Sequence, residues 1–172
     1  MRFPAAVALV AAGVLATAAG ADARTIRLNW VEQRSADYFP QAMTFKVKDV
    51  VLTTKAWSVH ASFTNRSKVT LKIGPSLGTN YALYTFGLGW GHCVPNGPGS
   101  TCGLATLKYT YAKPKVPTSV GPGQTWSGVF GGPGRPAKGK LINVIFGTFY
   151  PPGSPANGVK EFDWVSSHAF KL

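Results

Sequence analysis

The segment WSVHASFTNRSKVTLKI, residues 57–73, has the most regular pattern in the chain. In its first half, Trp57, Val59, Ala61 and Phe63 alternate with Ser58, His60, Ser62 and Thr64. A period of two is typical of a half-buried β-strand, so we expect Trp57 in the core. Residues 65–67 have turn chemistry, and apolar and polar residues then alternate again as far as Ile73. We therefore predict a β-hairpin whose outer face is polar and basic.

Short apolar or alternating segments, separated by Gly, Pro and Thr, occur along the rest of the chain. The sequence contains 20 Gly and 13 Pro and only 14% charged residues, which is typical of short strands joined by turns. Further strands are expected at residues 25–31, 45–52, 81–88, 104–111, 124–130, 141–149 and 159–165. Residues 141–149 are the most apolar and are the candidate for a central strand. We predict one all-β domain, an antiparallel β-sandwich of eight or nine strands.

Two irregularities are expected near the start of this domain. In residues 45–52, Phe45 and Val47 alternate with Lys46 and Lys48, but the alternation slips near Asp49. A slip of this kind predicts a β-bulge. The polar stretch that ends at Pro40 is expected to be irregular.

The first 23 residues have the features of a secretory signal peptide. Arg2 is followed by an uncharged run of about 15 residues, shorter than the roughly 20 that a membrane-spanning helix needs. The run ends at Ala21-Asp22-Ala23, where small residues flank the middle position of a cleavage site. We predict a cleaved leader of bacterial type over residues 1–23, an uncleaved anchor being the alternative, and one secreted domain over residues 24–172. In a bacterium the Asn-x-Ser sequon at Asn65 would not be glycosylated.

Both cysteines of the chain, Cys93 and Cys102, lie in the segment GWGHCVPNGPGSTCG, residues 89–103. In a secreted protein such a pair is by default a disulfide, which here would close the tip of a long hairpin. A zinc site would need four ligands, and this segment adds only His92. A thioredoxin-like redox site would need Cys-x-x-Cys. We predict a disulfide, with a metal or redox site as the alternatives.

The histidines and serines form no recognisable catalytic motif. No Gly-x-Ser-x-Gly elbow is present, and few acids exist to orient a histidine base. His60, His92 and His168 are therefore expected to be surface or hydrogen-bonded residues. We predict a protein that is not an enzyme and has no catalytic residues, with an unrecognised hydrolase as a less favoured class.

The acidic residues also offer little chemistry. Glu161 and Asp163 would share a face of a strand, as the paired carboxylates of glycosidases do, but in so basic a chain we expect them to pair with Lys or Arg. No acid-rich loop could supply the oxygens that calcium needs. The glycine-rich residues 131–134 lack the Lys-Ser/Thr of a phosphate loop. We predict no metal and no cofactor.

The charge of the chain points to an anionic partner. The formal net charge is +12, and removing the leader leaves it unchanged because Arg2 and Asp22 cancel. Such a charge attracts cell-envelope polymers, acidic glycans and membrane surfaces, although it also keeps a secreted protein soluble. No specific nucleic-acid partner is predicted. The candidate binding residues are Lys46, Lys48, Lys68 and Lys72, on outer strand faces.

A carbohydrate- or protein-binding module with an aromatic patch is the alternative function. Trp90 is its candidate residue, with His92 beside it. Trp90 lies between two glycines next to the hairpin tip, where no alternation places it in the core.

The order of the segments FKVKDVVL, WSVHASFTNRSKVTLKI, VGPGQTWSGVF and LINVIFG resembles a family of secreted bacterial immunoglobulin-like domains. That family includes small extracellular antigens of mycobacteria. The likeness covers roughly residues 45–148, and its strongest element is the alternating strand that ends in Asn-x-Ser. The resemblance implies an immunoglobulin-like sandwich with a binding or structural role, and it transfers no catalytic residue. The hairpin that holds both cysteines departs from the usual immunoglobulin arrangement.

Overall fold

The computed structural model describes residues 23–36, 39–74, 86–91, 105–153 and 162–172. Within these ranges the chain is all-β and contains no helix, as predicted. In chain order the strands are β1 (Arg24–Ala36), β2 (Phe39–Leu52), β3 (Ala56–Asn65), β4 (Leu71–Gly74), β5 (Phe86–Trp90), β6 (Ala105–Lys108), β7 (Tyr111–Lys113), β8 (Ser119–Val120), β9 (Thr125–Pro133), β10 (Leu141–Tyr150), β11 (Phe162–Val165) and β12 (Phe170–Lys171). Over the same ranges, nothing helical has the length and apolar character needed to cross a membrane.

One antiparallel sheet has five strands in the order β1-β2-β3-β9-β7. Strands β1 and β2 form a long hairpin, paired from Arg24 opposite Leu52 to Ala36 opposite Phe39. The stretch before Pro40, which was expected to be irregular, lies mostly in this ladder, and among its described residues the register shifts between Arg34 and Ala36. A short turn joins β2 to β3, and its Thr53 Oγ1 accepts the Ala56 N–H at 2.9 Å.

The other sheet is built around β10. Its order is β6-β5-β10-β4-β8, and β11 and β12 also pair with β10, which confirms the predicted central strand. Strands β5 and β6 are paired up to Trp90 opposite Ala105, which confirms the predicted hairpin. His92, Cys93 and Cys102 lie outside the described residues, so the disulfide stays a prediction.

The core lies between the two sheets and is rich in aromatic rings. Phe45 of β2 contacts Phe146 of β10, with ring centroids 5.0 Å apart, and Phe63 of β3 contacts Phe149 of β10 at 5.4 Å. Trp57 is 1% and Trp126 is 5% exposed, as their strand patterns predicted. Each large side chain removed from water contributes about 1.5–3 kcal/mol. Because side chains alternate along β2, β3 and β9, the polar residues lie on the other face of these strands, which faces solvent.

The segment from Trp57 to Ile73 does not form the predicted hairpin. Strand β3 pairs with β2 and β9, whereas β4 pairs with β10 and β8 in the other sheet. The chain thus crosses between the sheets at residues 66–70. Alternation fixed the strands correctly, but it does not identify the strand with which each one pairs.

The crossing is organised by Asn65, which is completely buried. Its Nδ2 donates to the carbonyl oxygens of Val69 and Val120 at 2.8 and 2.9 Å. Its Oδ1 accepts from the backbone N–H and the hydroxyl of Ser67 at 2.8 and 2.6 Å. Because Val120 belongs to β8, this side chain ties the end of β3 to the opposite sheet. In the folded protein the Asn-x-Ser sequence is a structural element, because the side-chain amide of Asn65 has hydrogen-bond partners at both its nitrogen and its oxygen.

Candidate functional site

Polar and basic side chains meet on the outer face of the five-stranded sheet. Lys46 of β2 lies opposite Ser62 of β3, and Ser62 lies opposite Ser127 of β9. In the next row, His60 of β3 lies opposite Val129, which lies opposite Lys113 of β7. These residues point outward because the positions between them are buried in the core or face it.

Together these rows form a shallow depression with a volume of about 450 Å³. Its lining residues are Lys46, Lys48, His60, Ala61, Ser62, Lys113, Ser127, Gly128 and Val129. Gly128 lets β7 approach closely, since a Cβ atom at this position would lie 2.4 Å from the Lys113 carbonyl oxygen. The depression therefore has lysines from β2 on one side, a lysine from β7 on the other, and serine hydroxyls between them.

The predicted bulge near Asp49 is present and shapes one end of the depression. The register of β2 and β3 shifts between Val47, opposite Ala61, and Asp49, opposite His60. Lys48 is the extra residue, so Lys48 and Asp49 together oppose the single residue His60. The shift places both a lysine and a carboxylate beside the histidine ring.

Asp49 and His60 form a close pair, with 2.5 Å between Asp49 Oδ1 and His60 Nδ1. An ionised carboxylate can only accept a hydrogen bond. The Nδ1 atom of His60 is therefore protonated and donates this hydrogen bond to Asp49. The Asp49 side chain is 11% exposed, whereas that of His60 is 49% exposed. Asp49 occupies Nδ1, which leaves Nε2 as the other ring nitrogen, and His60 is among the residues that line the depression.

The lysines of the depression have no carboxylate partner among the residues whose side chains the structure describes. The two acids in that part of the chain, Glu32 and Asp49, each form an ion pair with a histidine. Lys46, Lys48 and Lys113 are exposed, and Asp49 is the one acidic side chain near them among those that the structure describes. The depression is therefore a site of net positive charge.

A second carboxylate–histidine pair joins β1 to the carboxy-terminal segment. Glu32 is 8% exposed and accepts hydrogen bonds from the His168 ring at 2.7 Å and from the Ser167 N–H at 3.0 Å. Burial raises the pKa of Glu32, but the hydrogen bonds from His168 and Ser167 outweigh it and hold that pKa below its usual value. The ring of Trp30 stacks on His168 with centroids 5.4 Å apart. We call Glu32, Trp30, Ser167 and His168 the carboxy-terminal clip.

Neither pair has the geometry of a serine hydrolase triad. In the clip, Ser167 Oγ and Glu32 both approach the same atom, His168 Nδ1, whereas a triad needs the serine at Nε2. In the depression, no serine hydroxyl of the described residues is hydrogen-bonded to His60. Over the described ranges, no group of three or more His, Cys, Asp or Glu could hold a metal ion. What the depression offers is a set of donors and positive charges for an anion.

The structure separates the residues that the sequence proposed for binding. Lys46 and Lys48 line the depression, but Lys68 lies in the crossing after β3 and Lys72 lies on β4 of the other sheet. Trp90 is half-buried at the end of β5 and packs against the core, opposite Ile142 of β10. His92 and Glu161 lie outside the described residues, as does the side chain of Asp163.

Sequence reasoning assigned a binding role only to Lys46 and Lys48 of this site. It placed His60 and Ser62 on an outer strand face without such a role, and it missed Asp49 as the partner of His60, Lys113 and Ser127. Ser127 follows Trp126, which the strand pattern places in the core. Its outward direction could therefore have been inferred. Lys113 lies in a three-residue strand with no alternation long enough to detect. Its place in the site depends on the pairing of β7 with β9, which local sequence does not reveal.

The fold and this site define an all-β protein with two packed antiparallel sheets and a basic depression on one outer face. The chain matches no known protein family, and neither the curated proteins nor the solved structures contain a significant match.

Proposed function

We propose that the chain is a secreted, non-enzymatic binding protein with an immunoglobulin-like β-sandwich, which attaches to an anionic polymer outside the cytoplasm. The leader-like residues 1–23 and the resemblance of residues 45–148 support the export and the fold type. The two antiparallel sheets with an aromatic core between them are compatible with such a sandwich.

The observation that carries the proposal is the concentration of lysines around the depression, none of which has a carboxylate partner among the described side chains. Lys46, Lys48 and Lys113 come from two strands that are separated by β3 and β9. Neighbouring strands lie about 4.8 Å apart, so β2 and β7 are about 14 Å apart. Lysine side chains are long and flexible, and they can therefore reach an anion held over Ser62 and Ser127.

The proposal is tested by comparing two variants that lose the same charge. The first, Lys46→Gln/Lys48→Gln/Lys113→Gln, changes the depression. The second, Lys68→Gln/Lys72→Gln/Lys171→Gln, changes exposed lysines that do not line it. The readout is binding to heparin and to vesicles containing phosphatidylglycerol, measured over a salt series.

We expect the first variant to bind heparin about 10–100-fold more weakly than the unchanged protein, because each lysine near an anionic surface contributes about 1 kcal/mol. The control should lose only a few-fold, through its general charge. Binding of the unchanged protein should weaken steeply with salt, since the Debye length is only about 10 Å at 0.1 M. If both variants lost the same heparin affinity, attachment would depend on diffuse charge and not on the depression.

Binding that resists salt would contradict an electrostatic site altogether. It would favour the alternative of an aromatic patch near the hairpin tip, with Trp90 as the residue to change. A preference for vesicles over heparin would instead identify the partner as a membrane surface.

A further inference from the structure

We infer that the depression binds a tetrahedral oxyanion, a sulfate or phosphate group of the polymer, with His60 in its doubly protonated form, so that binding takes up a proton. This inference rests on the proposed function, because it assigns the chemistry of the same site.

The donors of the depression suit a tetrahedral anion. Lys46 and Lys48 of β2 and Lys113 of β7 line it, and Ser62 and Ser127 line it on the two strands between them. Among the described residues no arginine lines the depression, and this lining therefore lacks the planar fork that recognises a carboxylate through two parallel hydrogen bonds. Sulfate and phosphate groups present several oxygens in different directions and can accept from all these donors at once.

The state of His60 follows from its contact with Asp49. With Nδ1 donating to Asp49, a neutral ring has a lone pair on Nε2 and cannot donate to an anion. A second proton converts Nε2 into a donor and adds one positive charge. An anion in the depression therefore favours the doubly protonated ring, and by linkage its binding takes up a proton.

The charged groups around His60 have opposite effects on its doubly protonated form. From β2, Asp49 favours the charged ring, whereas Lys46 and Lys48 oppose it, as Lys113 does from β7. Strand β9 contributes Ser127, Gly128 and Val129 to the lining, and none of these side chains titrates. An anion that neutralises the lysines removes their repulsion and leaves the attraction of Asp49.

The experiment is calorimetric titration of the purified protein with a short heparin oligosaccharide, in two buffers of different ionisation enthalpy. The sulfates of this probe do not titrate near neutral pH, so the difference in heat counts protons taken up by the protein. The comparison variant is His60→Asn, which can still donate to Asp49 but has no ring to protonate. His168 is the internal control, because it is held in the carboxy-terminal clip away from the depression.

For the unchanged protein we expect net proton uptake and an affinity that rises about tenfold as the pH falls from about 8 to about 5.5. In His60→Asn both effects should disappear, while binding through the lysines remains. The same pH dependence in both proteins would overturn the role of His60, although the proposed function would stand. Failure of both proteins to bind would refute the proposed function itself.

A competition experiment tests separately whether the depression prefers a tetrahedral anion. Sulfate and glycerol phosphate are compared as competitors of the oligosaccharide, and the stronger of the two identifies the source of the oxyanion. Alginate, whose charges are all carboxylates, is compared with a dextran sulfate that has the same number of charges per sugar. We expect alginate to bind at least about tenfold more weakly, and equal binding would overturn the assignment to a tetrahedral group.

Discussion

The pairs Asp49–His60 and Glu32–His168 use the same contact, from a histidine Nδ1 to a carboxylate oxygen, in very different surroundings. In the carboxy-terminal clip, the carboxylate also accepts backbone N–H groups of Ser167 and His168, and Trp30 covers the ring. In the depression, the carboxylate has the histidine as its only side-chain partner among the described residues, and lysines lie around it.

The difference separates a structural pair from a site that is open to a ligand. The clip satisfies the buried Glu32 with protein donors and thereby fixes the end of the chain against β1. In the depression, Asp49 contacts one edge of the His60 ring, and the half-exposed ring, the lysines and the serines are open to solvent. The residue types alone do not distinguish the two pairs, whereas the neighbouring groups do.

The largest effect on stability is expected from removing the acid of the clip. Glu32→Ala removes the hydrogen bonds that the N–H groups of Ser167 and His168 donate to a charged acceptor and should lower the free energy of unfolding by about 2–3 kcal/mol. Asp49→Ala should cost only about 1 kcal/mol, since the half-exposed His60 can bond to water. Chemical denaturation measures both, with Gln33→Ala as a control at an exposed position of β1. Equal losses at Glu32 and Asp49 would remove the distinction between the two pairs.

Acid should weaken the clip in a defined direction. The pKa of Glu32 in the folded protein lies below its ordinary value of 4.5. Its carboxylate therefore stabilises the fold above that value, and this contribution is lost as the pH falls through the folded pKa. The stability gap between the unchanged protein and Glu32→Gln should be constant at pH 5–6 and should shrink below about pH 4. A gap that grows on acidification would contradict the lowered pKa.

The smallest effects on stability are expected at the floor of the depression. Ser62→Ala and Ser127→Ala should change the free energy of unfolding by less than about 0.5 kcal/mol, because both side chains lie on the outer face. Each should weaken heparin binding by about fivefold, the loss of one hydrogen bond to a charged group. Ser58→Ala is the matched control, since Ser58 is on the same strand face but does not line the depression. A loss of binding at Ser58 equal to that at Ser62 would place the ligand elsewhere.

Much of the fold could be predicted from local sequence. The alternation of β3 and the apolar character of β10 gave correct strands, and the slip near Asp49 gave a correct bulge. The burial of Trp57 and Trp126 followed from the same patterns. The short strands β7 and β8 were not predicted, because two or three residues carry no measurable period.

The candidate site was predicted only in part. Lys46 and Lys48 were recognised as outward residues of one strand, but they were grouped with Lys68 and Lys72, which the structure places in the crossing and on β4 of the other sheet. The depression needs β2, β3, β9 and β7 side by side, and the consecutive strands β2 and β3 are far along the chain from β7 and β9. Sequence patterns report which face a residue takes within its own strand, and they contain no information on strand order.

The sequence by itself determined the class of the protein, the period-two strands and the excess of positive charge, since each is a property of composition or of neighbouring residues. Only the tertiary structure decided that β3 and β4 belong to different sheets, because that choice depends on the buried hydrogen bonds of Asn65 and on partners far along the chain. It also decided which of the two described histidines lines the depression. Asp49 reaches His60 only through the bulged register of β2, and the lysines of β2 and β7 face one depression only because β3 and β9 lie between them.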